Sequence, residues 1–188
     1  MTRRLGRLIL RITRWTEDGA PPPDPKFVMI AAPHTSNWDL LYMLAFSWYH
    51  DRKLSWLGKD SLFRGPAGWV LRRLGGIPVD RSAPQGLVET MRDAFASADR
   101  LVVGIPPEGT RGRRDHWKSG FYRIAVAAEV PIVCGFLDYS TRTGGFGPMI
   151  RPTGDVTADM DVIRSFYAGK TGKYPDDVSE MRLRDEDV

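Results

Sequence analysis

His34 and Asp39 are the residues of this chain whose types and spacing point most directly to chemistry. They stand in Pro33-His34-Thr35-Ser36-Asn37-Trp38-Asp39, between an apolar run that reads as a strand and a stretch that reads as a helix. α/β proteins place ligands where strands end and helices begin. Asp39, in the first helical turn, could reach back to one imidazole nitrogen of His34. That bond would fix the tautomer and leave the other nitrogen as a general base. The same residues also have a purely structural reading. Ser36-x-x-Asp39 has the spacing of a capping box, with the acid near the positive end of the helix dipole. The two roles can coexist.

Two later loops carry groups suited to anions. Gly75-Gly76-Ile77-Pro78-Val79-Asp80-Arg81 ends a short strand in an acid–base pair. The planar fork of Arg81 suits phosphate, although a surface turn with a local ion pair has the same composition. Ile105-Pro106-Pro107-Glu108-Gly109-Thr110-Arg111 follows a strongly apolar strand candidate. Gly109 permits close backbone approach, Thr110 can donate, and Arg111 offers a second fork. Glu108 would be buried by its position and would need a partner. Arg113, Arg114 and Lys118 add charge nearby, as a solvated loop also would. No P-loop, G-x-G-x-x-G, H-E-x-x-H or G-x-S-x-G element is present. His50 and His116 have no companion at ligand spacing, so no metal site is expected.

The elements that must position these loops follow a repeated strand, loop, helix order. Strands are expected at 27–32, 54–57, 77–79, 101–105 and 131–137. Helices are expected at 37–50, 86–98, 119–128 and 159–167, with a broken helix over 61–74. Short apolar strands alternating with helices predict one α/β domain, with a largely parallel central sheet flanked by helices. Residues 1–16 read as an amphipathic helix preceding it. There Leu5, Leu8, Ile9, Ile12 and Trp15 follow helical spacing, with Arg4, Arg7, Arg11 and Arg14 beside them; Leu10 breaks the pattern. Such a helix is suited to lie in a membrane interface, or simply to pack on its own domain. Residues 17–26 hold four prolines and read as a stiff linker. The folded domain then spans 27–170, and the acidic residues 171–188 are expected to be poorly ordered.

Composition limits the alternatives. The chain has 188 residues, 42% hydrophobic and 27% charged, an ordinary globular balance. No apolar run reaches the 18 residues of a membrane span, and no signal peptide is expected. The single cysteine, Cys134, allows no internal disulfide and fits a reducing, cytoplasmic setting. The formal charge of +4 is unevenly placed: residues 1–15 carry five arginines and no acid, and six acids fall in 176–188. Bases and aromatics are not interleaved, so nucleic-acid binding is not expected.

Taken in order, the motifs resemble the glycerolipid acyltransferase family, the 1-acylglycerol-3-phosphate acyltransferases and their relatives. That family carries H-x4-D, then G-x-x-x-(D/E)-R, then P-E-G-T-R, then a V-P-I-V strand. Here they stand as His34…Asp39, Gly76–Arg81, Pro107–Arg111 and Val130–Val133. Trp117–Tyr122, Pro152–Asp155 and Ile163–Tyr167 look like a compact bacterial subgroup. The chain departs from the family at Pro33, where Asn is usual, at Pro106, where Phe is usual, and at Cys134, where another proline is usual. The resemblance implies an O-acyltransferase that moves a fatty acyl group from a thioester to a hydroxyl of a lipid acceptor. The donor would be acyl-CoA or acyl carrier protein, and no bound cofactor or metal is implied. His34 would be the base and Asp39 its orienting partner. Lys59, Arg81, Glu108, Gly109, Thr110 and Arg111 would hold the acceptor head group and its phosphate. Residues 2–15 would dock the enzyme on the cytoplasmic face of the inner membrane. A non-catalytic lipid-binding protein and an acyl-thioester hydrolase are the alternatives.

Overall fold

β2 (Lys26–Ala32) runs through the middle of the molecule, and its side chains alternate between two buried faces. Phe27 and Met29 point one way, Val28, Ile30 and Ala32 the other. A strand covered on both sides reads as a continuous apolar run, as this one does. The computed structural model describes residues 2–79 and 84–187. The predicted head-group ligand Arg81 and its neighbour Asp80 lie outside the described residues.

Seven strands form one sheet in the order β1-β7-β6-β2-β5-β3-β4. β3 (Leu54–Lys59), β4 (Gly76–Val79), β5 (Leu101–Ile105) and β6 (Ile132–Asp138) all run parallel to β2 in the sheet. Their C-terminal ends therefore share one rim. β7 (Thr143–Ile150) returns antiparallel to β6. α4 (Pro84–Ser97), α5 (Gly120–Ala127) and α6 (Val156–Tyr167) cover one face, where Phe95, Phe121, Ile124, Met160 and Ile163 close the main core. α2 (Trp38–Tyr49) covers the other face, and α1 (Thr2–Thr13) packs on α2. The short α3 (Pro66–Arg73) lies between β3 and β4. The expected α/β architecture and most helix and strand positions agree with the sequence reading.

Two strands were not expected. β7 contains Gly144, Gly145, Gly147 and Pro148 and reads as loop. Its glycines are there because other groups come too close for a side chain. A Cβ on Gly145, at φ +155°, would lie 1.9 Å from the Asp18 carbonyl oxygen. That approach lets the exposed β1 (Thr16–Asp18) pair with β7, across the expected boundary between the terminal helix and the linker.

The terminal helix is seated differently from the expected stripe. Gly6 lies against the backbone of α2, where a Cβ would meet the Ala45 carbonyl oxygen at 2.5 Å. Leu10, the residue that broke the pattern, is buried on the same side. Arg14 adopts φ +57°, and the Trp15 N–H returns to the Leu10 carbonyl, ending the helix in a left-handed turn. Trp15 is thus off the helical wheel and turns inward, 6% exposed, against Tyr42, Phe46 and Tyr139. Leu5, Leu8 and Ile12 remain outward at 46%, 52% and 71% exposure.

Residues 171–187 also differ from expectation: they pack along the domain. The Tyr174 N–H donates to Thr35 Oγ1, the Arg114 N–H to Ser179 Oγ, and the Trp117 N–H to the Arg182 carbonyl. Leu183 is fully buried in the main core, and Glu186 pairs with Arg164 at 2.6 Å. The acids dominate the composition, but one apolar side chain and a row of backbone bonds fix the segment. Replacing Leu183 by Ala is expected to lower the unfolding free energy by about 2–5 kcal/mol. An unchanged denaturation midpoint would show that the segment does not pack as described.

Candidate active site

The parallel strands deliver three loops to one rim. The first leaves β2 at Ala32 and enters α2 at Trp38. Within it, His34 Nδ1 lies 3.0 Å from Asp39 Oδ2. The same oxygen accepts the Ser36 N–H at 2.9 Å, while Ser36 Oγ accepts the Trp38 N–H. Asp39 therefore caps the loop and holds the histidine at once, so both sequence readings apply. With Nδ1 donating to the carboxylate, Nε2 is the nitrogen left to accept a proton. Asp39 is 5% exposed and His34 is half-buried.

A third partner was not anticipated. The Tyr139 hydroxyl donates to Asp39 Oδ1 at 2.6 Å. Tyr139 follows β6 directly, one hundred positions from Asp39. Its only trace in the sequence is its place just past a buried strand that runs parallel to β2. Burial, with the Asp39 carboxylate second, pushes the pKa of the Tyr139 hydroxyl up, so it stays a donor.

The second loop leaves β5 at Ile105. Gly109 takes φ +65°, a conformation that favours glycine, and a Cβ there would strike the Lys118 side chain at 2.8 Å. The Lys118 N–H donates to the Pro107 carbonyl, closing the loop. Thr110 is half-exposed and Arg111 is exposed, both at the rim. Glu108 departs from its expected head-group role. It is 2% exposed, and its Oε1 accepts the His34 N–H at 3.0 Å. Its other oxygen, Oε2, is buried without a hydrogen-bond partner among the described residues. Burial pushes the Glu108 carboxyl up, because an anion there would be poorly solvated. Its position behind the His34 loop makes it a brace for the His34 backbone.

Lys59 ends β3, exposed on the same rim beside Val79 of β4. Of the residues expected to hold a head group, Arg111 shares one cavity wall with His34 and Asp39. Lys59 stands on the rim outside that wall, and Glu108 lies beneath it.

The cavity occupies about 160 Å³ between α2 and the sheet. His34, Asp39 and Arg111 stand at its polar side. Its apolar lining includes Phe27 and Met29 of β2, Leu54 and Trp56 of β3, Met43 of α2 and Val102 of β5. Gly104, in mid-strand on β5, leaves space where a side chain would stand near Leu54 and Met43. The constellation is an imidazole, a carboxylate in contact with it, a guanidinium and an apolar slot. Among the described residues, no group of three or more His, Cys, Asp or Glu is placed to hold a metal ion.

The family model described as Acyltransferase matches residues 19–135, which contain all four motifs and β2 to β5. No curated protein sequence matches. Among solved structures, the chain is similar to the crystal structure of the 1-acyl-sn-glycerophosphate (LPA) acyltransferase PlsC from Thermotoga maritima. The TM-score is 0.55 at 17% identity, over 81% of this chain and 68% of that one. At that identity the likeness speaks for the fold, and the family match speaks for the sequence. The chain belongs to the acyltransferase family, on the fold of a glycerolipid acyltransferase.

Proposed function

We propose that the enzyme transfers a fatty acyl group from acyl-CoA or acyl carrier protein to a hydroxyl of a phosphate-bearing glycerolipid or lysophospholipid. The observation that carries this reading is one cavity with an apolar lining and His34, Asp39 and Arg111 on its wall. The acyl chain lies in the slot between α2 and the sheet. The thioester carbonyl then sits near His34.

Nε2 of His34 takes the proton of the acceptor hydroxyl as that oxygen attacks the thioester carbonyl carbon. Asp39 stabilises the imidazolium and keeps the ring oriented. The tetrahedral intermediate collapses with cleavage of the carbon–sulfur bond. The imidazolium returns its proton to the departing sulfur, leaving a free thiol and an ester. Arg111, with Lys59 and Arg81, binds the acceptor phosphate, the chemistry for which guanidinium forks are suited. Thr110 and the Gly109 backbone line the same side.

The enzyme works from a bilayer surface, attached peripherally to the cytoplasmic face of the inner membrane. Its contact is the outward strip of Leu5, Leu8 and Ile12, flanked by the exposed Arg4 and Arg11. Three apolar side chains beside a basic strip match an interfacial helix. Among the described residues no helix is long and apolar enough to cross a membrane.

Replacing His34 by Ala is expected to reduce acceptor-dependent thiol release by at least about 10²–10⁴-fold while leaving the circular dichroism spectrum unchanged. Undiminished turnover in that variant sinks the mechanism, and thiol release that needs no acceptor points to hydrolysis instead. Arg111→Ala is expected to raise the acceptor KM roughly tenfold to a hundredfold, the worth of a hydrogen bond to a charged group. The acyl-donor KM should stay put. Leu5→Ser, Leu8→Ser and Ile12→Ser together are expected to abolish sedimentation with anionic vesicles without lowering the melting temperature. Equal sedimentation by the triple variant would remove the strip from the docking surface.

A further inference from the structure

We propose that Tyr139 is a positioning residue of the His34–Asp39 dyad, and that Trp15 holds the Tyr139 ring in place from the end of α1. What the dyad accomplishes rests on the acyl-transfer reading; the positioning itself rests on geometry alone.

Asp39 is nearly completely buried, and its two oxygens divide their work. Oδ2 serves the His34 ring and the Ser36 N–H. Oδ1 is taken by the Tyr139 hydroxyl at 2.6 Å. The carboxylate torsion of an aspartate is broad and roughly two-fold, so one oxygen alone does not fix the plane. A donor on each oxygen does. Tyr139 thus sets the plane of the carboxylate and, through it, the plane of the imidazole.

Tyr139 is itself held from three sides. Its N–H donates to the Thr171 carbonyl at 2.9 Å. The Trp15 ring meets it edge to face, with centroids 5.0 Å apart at 90°. Tyr42 of α2 meets it at 6.1 Å and 78°, and Trp15 also lies 4.5 Å from Tyr42. Such aromatic pairs prefer these offset and edge-on geometries. Trp15 reaches this position because the left-handed turn at Arg14 swings it off the end of α1. A continuous set of contacts therefore runs from α1 through Trp15, Tyr139 and Asp39 to His34. Nothing in the family motifs marks Tyr139 or Trp15 for this task.

The other ionisable groups facing this set are Glu108, which acts on His34 and Asp39, Arg111 on the shared cavity wall, and Tyr42 and Tyr174, which act on Tyr139. All of these groups remain in place in a Tyr139→Phe variant. Removing that donor leaves more negative charge on the carboxylate facing His34. The imidazolium is then held more tightly, and the free base is available only at higher pH.

The test is Tyr139→Phe in the full chain. The acid limb of its kcat/KM profile is expected to move to higher pH by roughly half to one unit. Turnover at the optimum should fall about tenfold with both substrate KM values unchanged. The titration midpoint of the His34 ring nitrogens, followed by 15N NMR without substrate, should move upward by the same amount. Trp15→Leu should shift both readings in the same direction by less. An unmoved acid limb and an unmoved NMR midpoint in Tyr139→Phe overturn the proposal, whatever happens to stability. A shift in Tyr139→Phe with none in Trp15→Leu removes Trp15 from the relay. If the wild-type enzyme acylates no acceptor yet the NMR midpoint moves, the positioning stands and the assigned reaction fails.

Discussion

A buried carboxylate has to be satisfied, and much of this molecule is arranged around the satisfaction of Asp39. Ionised and without donors it would cost several kcal/mol. The three donors it finds come from separate places: the loop backbone at Ser36, the ring of His34, and the hydroxyl of Tyr139 beyond β6. Bringing them together requires β2 and β6 to be neighbours and parallel, so that both end on one rim. It requires α2 to begin at Trp38, so that Asp39 points back into the loop. It requires a wall behind Tyr139, which α1, α2 and residues 171–174 supply. The dyad is a consequence of the sheet order as much as of two residue types.

Glu108 gives the opposite solution to the same problem. It too is buried next to His34, but burial raises its carboxyl and one oxygen is left without a partner among the described residues. A protonated acid costs far less to bury than an anion. Behind the loop there is thus one carboxyl with donors on both oxygens and a second whose surroundings favour the neutral form. Oε1 of Glu108 still accepts a backbone N–H, a bond that needs no charge. Two acids of similar intrinsic strength are sorted into different work by their donors.

How much of this could be read from the sequence depended on range. The strands of the sheet interior were legible because they are buried on both faces and show as unbroken apolar runs, Phe27–Ala32 and Ile132–Leu137 among them. His34 and Asp39 were legible because their five-residue spacing spans one loop and one helical turn. β7 was not, because its glycines answer to β1 and to the Phe166 ring, both distant in sequence. Trp15 was misplaced because one residue, Arg14, leaves the helical backbone and the periodicity ends with it. Residues 171–187 were misjudged because net charge describes solvation of a segment, while Leu183 describes its docking. Glu108 was given to the substrate because the motif places it in the loop; only the fold says which way the side chain faces. Tyr139 left no local pattern at all.

The seating of α1 has a mechanical consequence. A helix joined by a loose linker would be free to reorient relative to the body. Here Gly6 on α2, Trp15 in the core and β1 on the sheet edge make the helix part of the rigid body. Its outward strip of Leu5, Leu8 and Ile12 then keeps a fixed angle to the rim that carries His34. A partner met through that strip would cost the molecule its rotation as a whole and little ordering of its own chain. Tilt and height of the cavity relative to that strip are set when the protein folds.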